Sequence, residues 1–215
     1  MATVRGGRRP PAIKNPERTR ADIIDVATAE FAELGLAGAR VDRIAERTKT
    51  SKRMIYYYFG DKEGLYRAVV LSYYEKLRAA EKALELGGLA PMQALKALVE
   101  FTYDYHLKNT MVVRLIMVEN IHKGRHVAKL PAVTPVNSTI LTMVNDILKR
   151  GESAGVMRTG LDGFDLYSTI AALSFFNVAN RYTMRAAFRR DMGDPRKLAQ
   201  RRHAVWDIVQ RYVAP

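Results

Sequence analysis

The sequence predicts an all-α protein, with a three-helix head at residues 16–62 and a larger helical body at residues 63–215. Apolar residues recur at spacings of three and four, the period of an α-helix, and no segment shows the alternation of a β-strand. Pro, Asp and Gly stand where the helical segments would begin or end. We therefore expect about nine helices and no sheet.

The first residues differ in composition from the rest of the chain. Residues 1–15 are rich in Gly, Pro and Arg, which predicts a flexible basic arm. Pro16 is suited to the first turn of helix one, and Gly35 to its end, because Gly readily adopts the backbone that terminates a helix. The stripe expected to face the core is Ile24, Ala27, Phe31 and Leu34.

Helices two and three are short, at residues 41–47 and 51–58. Val41, Ile44 and Ala45 share one face of helix two, which predicts packing against the head. Helix three is too polar, basic and aromatic for a core helix, and we expect it to be exposed. Its residues of this kind are Ser51, Lys52, Arg53, Tyr56 and Tyr57. A short exposed helix with cations at its N-terminal end fits the major groove of DNA.

The fourth helix is long and leads out of the head into the body. Asp61 is placed to cap it, and Gly87 and Gly88 are expected to stop it. Helical spacing predicts that its buried face is Leu65, Val69, Tyr73, Leu77, Ala80 and Leu84. Pro, Thr and Asp residues then mark the starts of five further helices. Their expected limits are residues 91–107, 110–122, 134–151, 162–188 and 195–213.

The last two helices carry more apolar surface than one small body needs. Residues 166–179 are apolar on most sides of their helix, so that every side must be covered. A partner subunit is a natural cover, which predicts a homodimer through the last two helices, and a core helix within one chain is the alternative. The apolar residues are Leu166, Ile170, Leu173, Phe175, Phe176 and Val178, with Leu198, Val205, Ile208 and Tyr212 on the last helix.

The formal net charge of +13 indicates an anionic partner without naming one. Basic residues outnumber acidic ones by six to one in residues 1–20 and by six to two in residues 40–53. A third basic stretch, residues 181–211, holds nine against three and is interpreted as a solvated helix face. The charge supports nucleic-acid binding but does not establish it.

Composition excludes several other classes. Hydrophobic residues make up 48% of the chain and charged residues 27%, which suits a packed core and argues against disorder. The absence of Cys excludes disulfides and Cys-based metal or nucleophile chemistry. No apolar stretch approaches the ~20 residues that cross a bilayer, and no apolar segment follows the basic N-terminus as in a secretory signal. We expect a cytoplasmic protein, nucleoid-associated when bound to DNA, with no membrane partner, no cofactor and no metal.

Residues 39–65 read ARVDRIAERTKTSKRMIYYYFGDKEGL and resemble the DNA-binding region of the TetR family of bacterial transcriptional regulators. Every position of the family's recognition segment is filled, by Ser51, Ile55, Tyr56, Tyr58, Phe59, Asp61, Lys62, Glu63 and Leu65. The upstream matches are Ala27, Phe31, Gly35, Val41, Ile44 and Ala45, and the resemblance covers about residues 17–70. Lys49 departs from the pattern, since the family usually has Gly in this turn. Either Lys49 adopts a left-handed backbone or the turn differs.

The resemblance implies roles for helix three and its surroundings, which form a helix-turn-helix. Lys52 and Arg53 would reach base edges, and Arg53 can bind guanine through two hydrogen bonds. Tyr56 and Tyr57 match positions that touch the DNA backbone or thymine methyl groups, and Lys62 matches a phosphate-binding lysine.

Three further assignments concern the edges of this region. Ser51 would cap helix three and could still reach a phosphate. Arg43 is expected either along the DNA backbone or in solvent, and Tyr58 is expected to pack inside. The arginines of the N-terminal arm could enter a minor groove.

Members of the family enclose a ligand pocket between the middle helices, and the ligand changes the spacing of the two DNA-binding heads. The resemblance therefore implies a small hydrophobic or aromatic effector, although aromatic and Met residues suit an ordinary core equally well. The candidate lining residues are Phe101, Tyr105, His106, Met117, Glu119, Asn120, Met143, Tyr167, Phe175 and Phe176. Glu119 and His122 have a spacing that could share a metal ion, but a lone pair is a weak signal. Orienting a ligand, or satisfying each other in the core, are the alternatives.

The function implied is that of a regulator, by default a repressor, that binds a near-palindromic operator in double-stranded DNA as a dimer. The main alternative is an architectural or constitutive DNA-binding protein without effector response. The large apolar body argues against it, because DNA packaging needs no interior capacity. An enzyme is disfavoured, since nothing assembles into a nucleophile, a base and an orienting group.

Overall fold

The computed structural model describes residues 15–215, and all regular structure within them is helical, as predicted. Residues 1–14, which hold most of the expected basic arm, lie outside the described residues. The α-helices of the described part are α1 (Pro16–Gly38), α2 (Val41–Thr48), α3 (Lys52–Phe59), α4 (Lys62–Lys82), α5 (Pro91–Lys108), α6 (Thr110–Ile121), α7 (Val133–Ser153), α8 (Gly163–Ala179), α9 (Arg181–Phe188) and α10 (Pro195–Val213). Short 3-10 turns at Leu86–Gly88 and Val127–Lys129 complete the chain.

The helix starts follow the predicted capping residues. The side chains of Ser51, Asp61 and Asp194 each accept a hydrogen bond from a backbone N–H in the first turn that follows. This satisfies donors that have no partner within the helix, and so fixes where α3, α4 and α10 begin. Asp162 does the same for α8 through the N–H of Asp165, at 2.9 Å.

The helix α4 ends at Lys82, ahead of Gly87 and Gly88, which lie in the 3-10 turn that follows. Two further differences from the predicted helices have local causes. The single helix expected at residues 162–188 is divided into α8 and α9 at Asn180, which has φ −102° and ψ 4°. Gly35 leaves the helical region as predicted, with φ 66° and ψ 178°, but one more turn follows it to Gly38. Because the chain changes direction there, Leu36 is buried in the head, whereas Leu34, predicted for the core, is 38% exposed.

The head has its own hydrophobic core, and α6 contributes to it. This core is built around Phe31 and Tyr66, whose rings meet edge to face with centroids 5.1 Å apart. Leu115 of α6 is fully buried in it, and α6 packs along α1. The same helix also faces the body, so that one rigid element contacts both parts of the molecule.

A second core fills the body between α5, α7, α8 and α10. Its members include Leu95, Tyr103, Ile147, Ile170 and Val205, all buried. Val205 had been predicted for a subunit contact, and its burial within the chain corrects that expectation. Within the described residues, no helix is both long enough and apolar enough to cross a membrane.

Candidate DNA interface and ligand cavity

The connection between α2 and α3 resolves the alternatives left open at Lys49. Lys49 has φ 51° and ψ 35°, a left-handed backbone, and its N–H donates to carbonyl oxygens at the end of α2. Thr50 then donates its N–H to the carbonyl of Ala45 at 3.1 Å, which closes the turn. A residue other than Gly therefore takes the strained position, at a cost of about 1 kcal/mol that the turn's hydrogen bonds offset.

One side of α3 holds the helix against the head. Ile55 is fully buried, and Tyr58 and Phe59 are partly buried against the head core, so that Tyr58 packs inside as predicted. Ser51 accepts the N–H of Met54 at 3.2 Å, the predicted cap. The guanidinium of Arg20 lies 5.3 Å from the centre of the Phe59 ring and covers it.

The other side of α3 is open to solvent and holds the residues expected to read DNA. Tyr57 is 78% exposed and Tyr56 is 37% exposed, and Arg53 is exposed. Lys52 lies within 3.0 Å of Asp42 on α2. The hydrogen bond and the charge of this carboxylate raise the pKa of Lys52 above its ordinary value. The cationic and aromatic groups thus share one accessible face, as the sequence predicted.

Lys62 and Arg43 flank this face and each has a partner in the head. The Nζ of Lys62 donates to the carbonyl oxygen of Ala37, at the end of α1, over 3.2 Å. Arg43 lies 3.8 Å from Glu30, and its own side chain is 56% exposed.

Glu30 is a head residue that the sequence analysis did not single out. It is 2% exposed, and its Oε1 accepts the backbone N–H of Arg40 at 3.2 Å, where α2 begins. A buried carboxylate at the N-terminus of a helix satisfies a free donor and interacts favourably with the helix dipole. Glu30 therefore fixes the start of α2 against α1, and with it the position of α3.

A cavity of about 490 Å³ lies between α4, α5, α6, α7 and α8. Four of the predicted ligand residues line it: His106, Asn120, Tyr167 and Phe175. A second cavity of about 760 Å³, between α4 and α7, shares Arg78 and Ile140 with the first. Both volumes fall in the range of small-molecule sites.

The remaining predicted ligand residues are placed elsewhere. Met143 lines the second cavity, and Tyr105 lines a smaller one of about 290 Å³ between α1, α4 and the start of α6. Phe101 lines none of these cavities and packs beside Tyr105, with ring centroids 5.5 Å apart. Met117 and Phe176 are 37% and 45% exposed and point away from the cavities because they lie on the outer sides of α6 and α8.

Glu119 was predicted to face a ligand or to pair with His122, and the structure places it differently. Its carboxylate is buried against His126, which donates its backbone N–H at 2.8 Å and lies with Nδ1 at 2.9 Å. The chain turns back after α6, which brings His126 rather than His122 to this carboxylate. Among residues 15–215, no three His, Asp or Glu side chains are grouped so as to hold a metal ion.

The cavity also contains a buried charged cluster that the sequence analysis missed. The guanidinium of Arg78 lies 2.9 Å from the carboxylate of Glu81 and donates to the hydroxyl of Tyr167 at 2.7 Å. Burial raises the pKa of Glu81 to about 7, against the opposing charge of Arg78. Burial and the same guanidinium lower the pKa of His106 to about 4, so that this imidazole is neutral at pH 7. The signal in the sequence was an acid and a base three apart, beside the apolar stripe of a long helix.

Two known families match the chain. The family described as "Bacterial regulatory proteins, tetR family" matches residues 23–69, which span most of α1 through the first half of α4. The family described as "Tetracyclin repressor-like, C-terminal domain" matches residues 91–209, the body from α5 into α10.

Two similar proteins are named as repressors. The HTH-type transcriptional repressor NicS of Pseudomonas putida is 31% identical over 195 residues, 91% of this chain and 92% of that protein. The HTH-type transcriptional repressor SCO4008 of Streptomyces coelicolor is 30% identical over 165 residues, 76% of this chain and 80% of its own.

Solved structures share the fold. The putative transcriptional regulator SCO4942 of Streptomyces coelicolor superposes with a TM-score of 0.67 at 27% identity, over 92% of this chain and 99% of that one. The regulator FadR of Bacillus subtilis, solved with stearoyl-CoA, superposes with a TM-score of 0.66 at 16% identity, over 88% of this chain and 96% of its own.

Proposed function

The chain belongs to the TetR family of bacterial transcriptional regulators, and from this premise we propose that it is a repressor released from DNA by a small effector. It binds a near-palindromic operator as a homodimer, with α3 of each subunit in the major groove. Transcription is blocked while the dimer occupies the operator. A small hydrophobic or aromatic compound in the body lowers the affinity for DNA.

The observation that carries this proposal is the division of α3 into a buried and an open side. Ile55 anchors the helix in the head, whereas Arg53 and Tyr57 project from it into solvent. Exposed aromatic rings on a monomeric surface are costly unless a partner covers them, and duplex DNA suits the cations beside them. In this role Arg53 reads a base, Lys52 reaches the groove edge, and Tyr56 and Tyr57 contact the DNA backbone or thymine methyl groups.

Lys62, Arg43 and Ser51 complete the interface by contacting phosphates. Lys62 begins α4, where the free N–H groups of the first turn attract the same anion. Ser51 shares its hydroxyl between the cap of α3 and a phosphate. Such contacts fix the position of the protein on the duplex without reading its sequence.

The dimer forms through α8 and α10. Ile208 and Tyr212 stand one turn apart on α10 and are 42% and 39% exposed, and Phe176 is 45% exposed on α8. The inner sides of both helices are occupied by the body core, so that these side chains are available to a second subunit. A two-fold axis here places two copies of α3 about one helical turn apart on a shared duplex.

Effector response is supported by α6, which contacts both the head and the cavity. Leu115 lies in the head core, while Ile116 and Asn120 line the cavity of about 490 Å³. A ligand that fits only one position of α6 shifts the heads toward one spacing, which is the free-energy coupling that release requires. A DNA-packaging protein would need no such arrangement.

Selection from a random pool of 30-base-pair duplexes tests the proposal. We expect an enriched near-palindrome, bound at least about 10³-fold more tightly than unselected DNA at the same salt concentration. Light scattering on the complex should give two subunits per duplex. A pool without enrichment would favour the constitutive, architectural alternative, and enrichment of a site bound by one subunit would contradict the dimer.

A further inference from the structure

We propose that the cavity between α4 and α8 binds an organic anion, a carboxylate on a planar apolar body, with the carboxylate held by Arg78 and His106. This inference names the effector class of the site described above, and so it rests on the proposed function. Both side chains are buried, and each has at least one polar atom without a hydrogen-bond partner among the described residues.

Arg78 is buried, and some of its N–H donors have no hydrogen-bond partner in the part of the chain that the structure describes. Its side chain is 7% exposed, and a guanidinium carries five N–H groups. Nη2 donates to Tyr167, and Nη1 lies near Glu81 without the geometry of a hydrogen bond. Nε has no partner among the described residues. A buried donor without an acceptor is costly, and a carboxylate oxygen placed at Nε would satisfy it with a charge-assisted hydrogen bond.

His106 lines the same cavity and, within the described part of the chain, holds a second buried polar atom without a hydrogen-bond partner. It is 7% exposed, and its Nδ1 has no hydrogen-bond partner within residues 15–215. Its lowered pKa keeps the ring neutral, so that one ring nitrogen carries a proton and can donate it to an anion. The ring stands edge-on to Phe175, with centroids 5.6 Å apart, which fixes its orientation.

The charge balance of the lining favours an anion over a cation. The described residues that line this cavity include Arg78 but no Asp or Glu. Glu81 contacts Arg78 from the side of the neighbouring cavity. Because its pKa is raised to about 7, Glu81 takes up a proton readily when a second anion approaches Arg78. A cation would meet the guanidinium on the lining, while the nearest carboxylate, Glu81, is already paired with Arg78 and accepts from Tyr167.

The rest of the cavity suits a planar body. Aromatic rings from two helices face it, namely Tyr73, Tyr74, Phe164, Tyr167 and Phe175. Rings of this kind bury a flat apolar ligand well, and about 490 Å³ is enough for one or two fused rings with a carboxylate. Phe164 is 62% exposed and stands at the rim, where a ligand would enter.

Calorimetric titration with matched probes tests the inference. The probes are 2-naphthoate and decanoate, each paired with its neutral amide. We expect the intact protein to bind at least one carboxylate about tenfold or more tightly than the corresponding amide, because only the anion forms charge-assisted hydrogen bonds with Arg78. The inference is overturned if neither carboxylate is preferred over its amide, and a preference for decanoate alone refutes the planar body.

Three variants distinguish a specific contact between Arg78 and the carboxylate from a general effect of the protein's charge. The double variant R78Q/E81Q removes both charges together and leaves no uncompensated buried ion. It should lose the preference for the carboxylate, whereas K96Q, an exposed cation on α5 that lines none of the cavities, should keep it. His106→Leu introduces no buried charge and should weaken the preference severalfold even if the double variant does not fold. Retention of the full preference by either cavity variant contradicts the assignment.

Parallel measurement of operator binding keeps the two proposals apart. A protein that binds its selected operator but is released only by neutral compounds refutes the anion site and leaves the repressor proposal intact. A protein that binds naphthoate through Arg78 but prefers no DNA sequence has the anion site and lacks the proposed function.

Discussion

The carboxylate of Glu119 holds His126 by two hydrogen bonds, one from its backbone N–H at 2.8 Å and one from Nδ1 at 2.9 Å. Arg125, which can only donate, places Nε 3.2 Å from Nε2 of the same ring. With these partners, Nδ1 donates to Glu119 and Nε2 accepts from Arg125. Its ring packs edge-on against Tyr66 of α4, with centroids 4.9 Å apart, and this fixes the segment after α6 against the head.

Glu119→Gln should destabilise the protein by about 1–3 kcal/mol, because an amide cannot accept all three hydrogen bonds that this carboxylate accepts. The third comes from the backbone N–H of Val127, at 3.0 Å. Urea unfolding measures the change, with Glu33→Gln as a matched control on the exposed side of α1. A loss no larger than that of the control would show that the network contributes little.

The unmodified protein and the Glu119→Gln variant also test how stability depends on pH. Burial alone would raise the pKa of Glu119, but hydrogen bonds from Val127 and His126 lower it below the ordinary 4.5. A lowered carboxyl pKa stabilises the folded state above pH 4.5, and this contribution is lost as the pH falls through the folded value. The stability difference between Glu119 and its Gln variant should therefore shrink below pH 4.5. A difference that grows there would reverse the assigned direction.

The fold was largely predictable because its signals are local. Capping residues such as Ser51 and Asp61 act within one turn, so that the spacing of a few residues reveals where a helix starts. The break at Asn180 was missed because apolar residues continue across it, and the apolar pattern alone carries no sign of a turn. The apolar residues of α8 were expected to be covered on every side, and the structure gives them three different environments: Ile170 faces the core, Phe175 the cavity and Phe176 the outside.

The site was predictable only where one helix determines it. Exposure of Arg53 follows from the sequence of α3, whereas the ion pair of Lys52 depends on how α2 and α3 cross. Arg78 was missed because it follows Leu77 and lies just off the predicted apolar stripe of α4, and only the packing of α8 shows that this position is buried. Residues from five helices form the cavity, and no local pattern specifies which of their side chains converge.

Arg53→Ala should cost about 1–3 kcal/mol of binding free energy on the selected operator and clearly less on unselected DNA, because a bidentate base contact is lost. Fluorescence anisotropy with both duplexes at one salt concentration measures the difference. Arg185→Ala, which removes an exposed arginine from α9, should have no selective effect. Equal losses on the two duplexes would make Arg53 a contact to the DNA backbone.

Lys62→Ala should weaken binding to all sequences alike and reduce the slope of log affinity against log salt by about 0.9, the loss of one phosphate contact. Titrations between 50 and 200 mM salt are on the order needed to resolve such a slope. Lys96→Ala removes an exposed cation from the body and should leave the slope unchanged. If both variants retain the original slope, the lysine serves the head by its bond to Ala37 instead.

Asp42→Asn should strengthen DNA binding by about threefold at low salt, because Lys52 no longer has to leave a carboxylate and one repulsive charge near the phosphates disappears. The present distance between the two side chains is 3.0 Å. Asp146→Asn, which breaks a similar exposed pair with Arg150 on α7, is the matched control. Weaker binding by the Asp42 variant would instead mean that the pair holds Lys52 in its productive position.

Ile208→Glu should convert the dimer to monomers and lower operator affinity by at least about tenfold, because a charge would be buried where two subunits meet and each half-site would bind alone. Light scattering gives the mass and anisotropy gives the affinity. Ile121→Glu is the control, since Ile121 is 76% exposed on α6 and lies outside α8 and α10. Circular dichroism should show that both variants keep their helices, as Ile208 is 42% exposed in the single subunit. A dimer that survives this substitution would place the contact on a surface other than the outer face of α10.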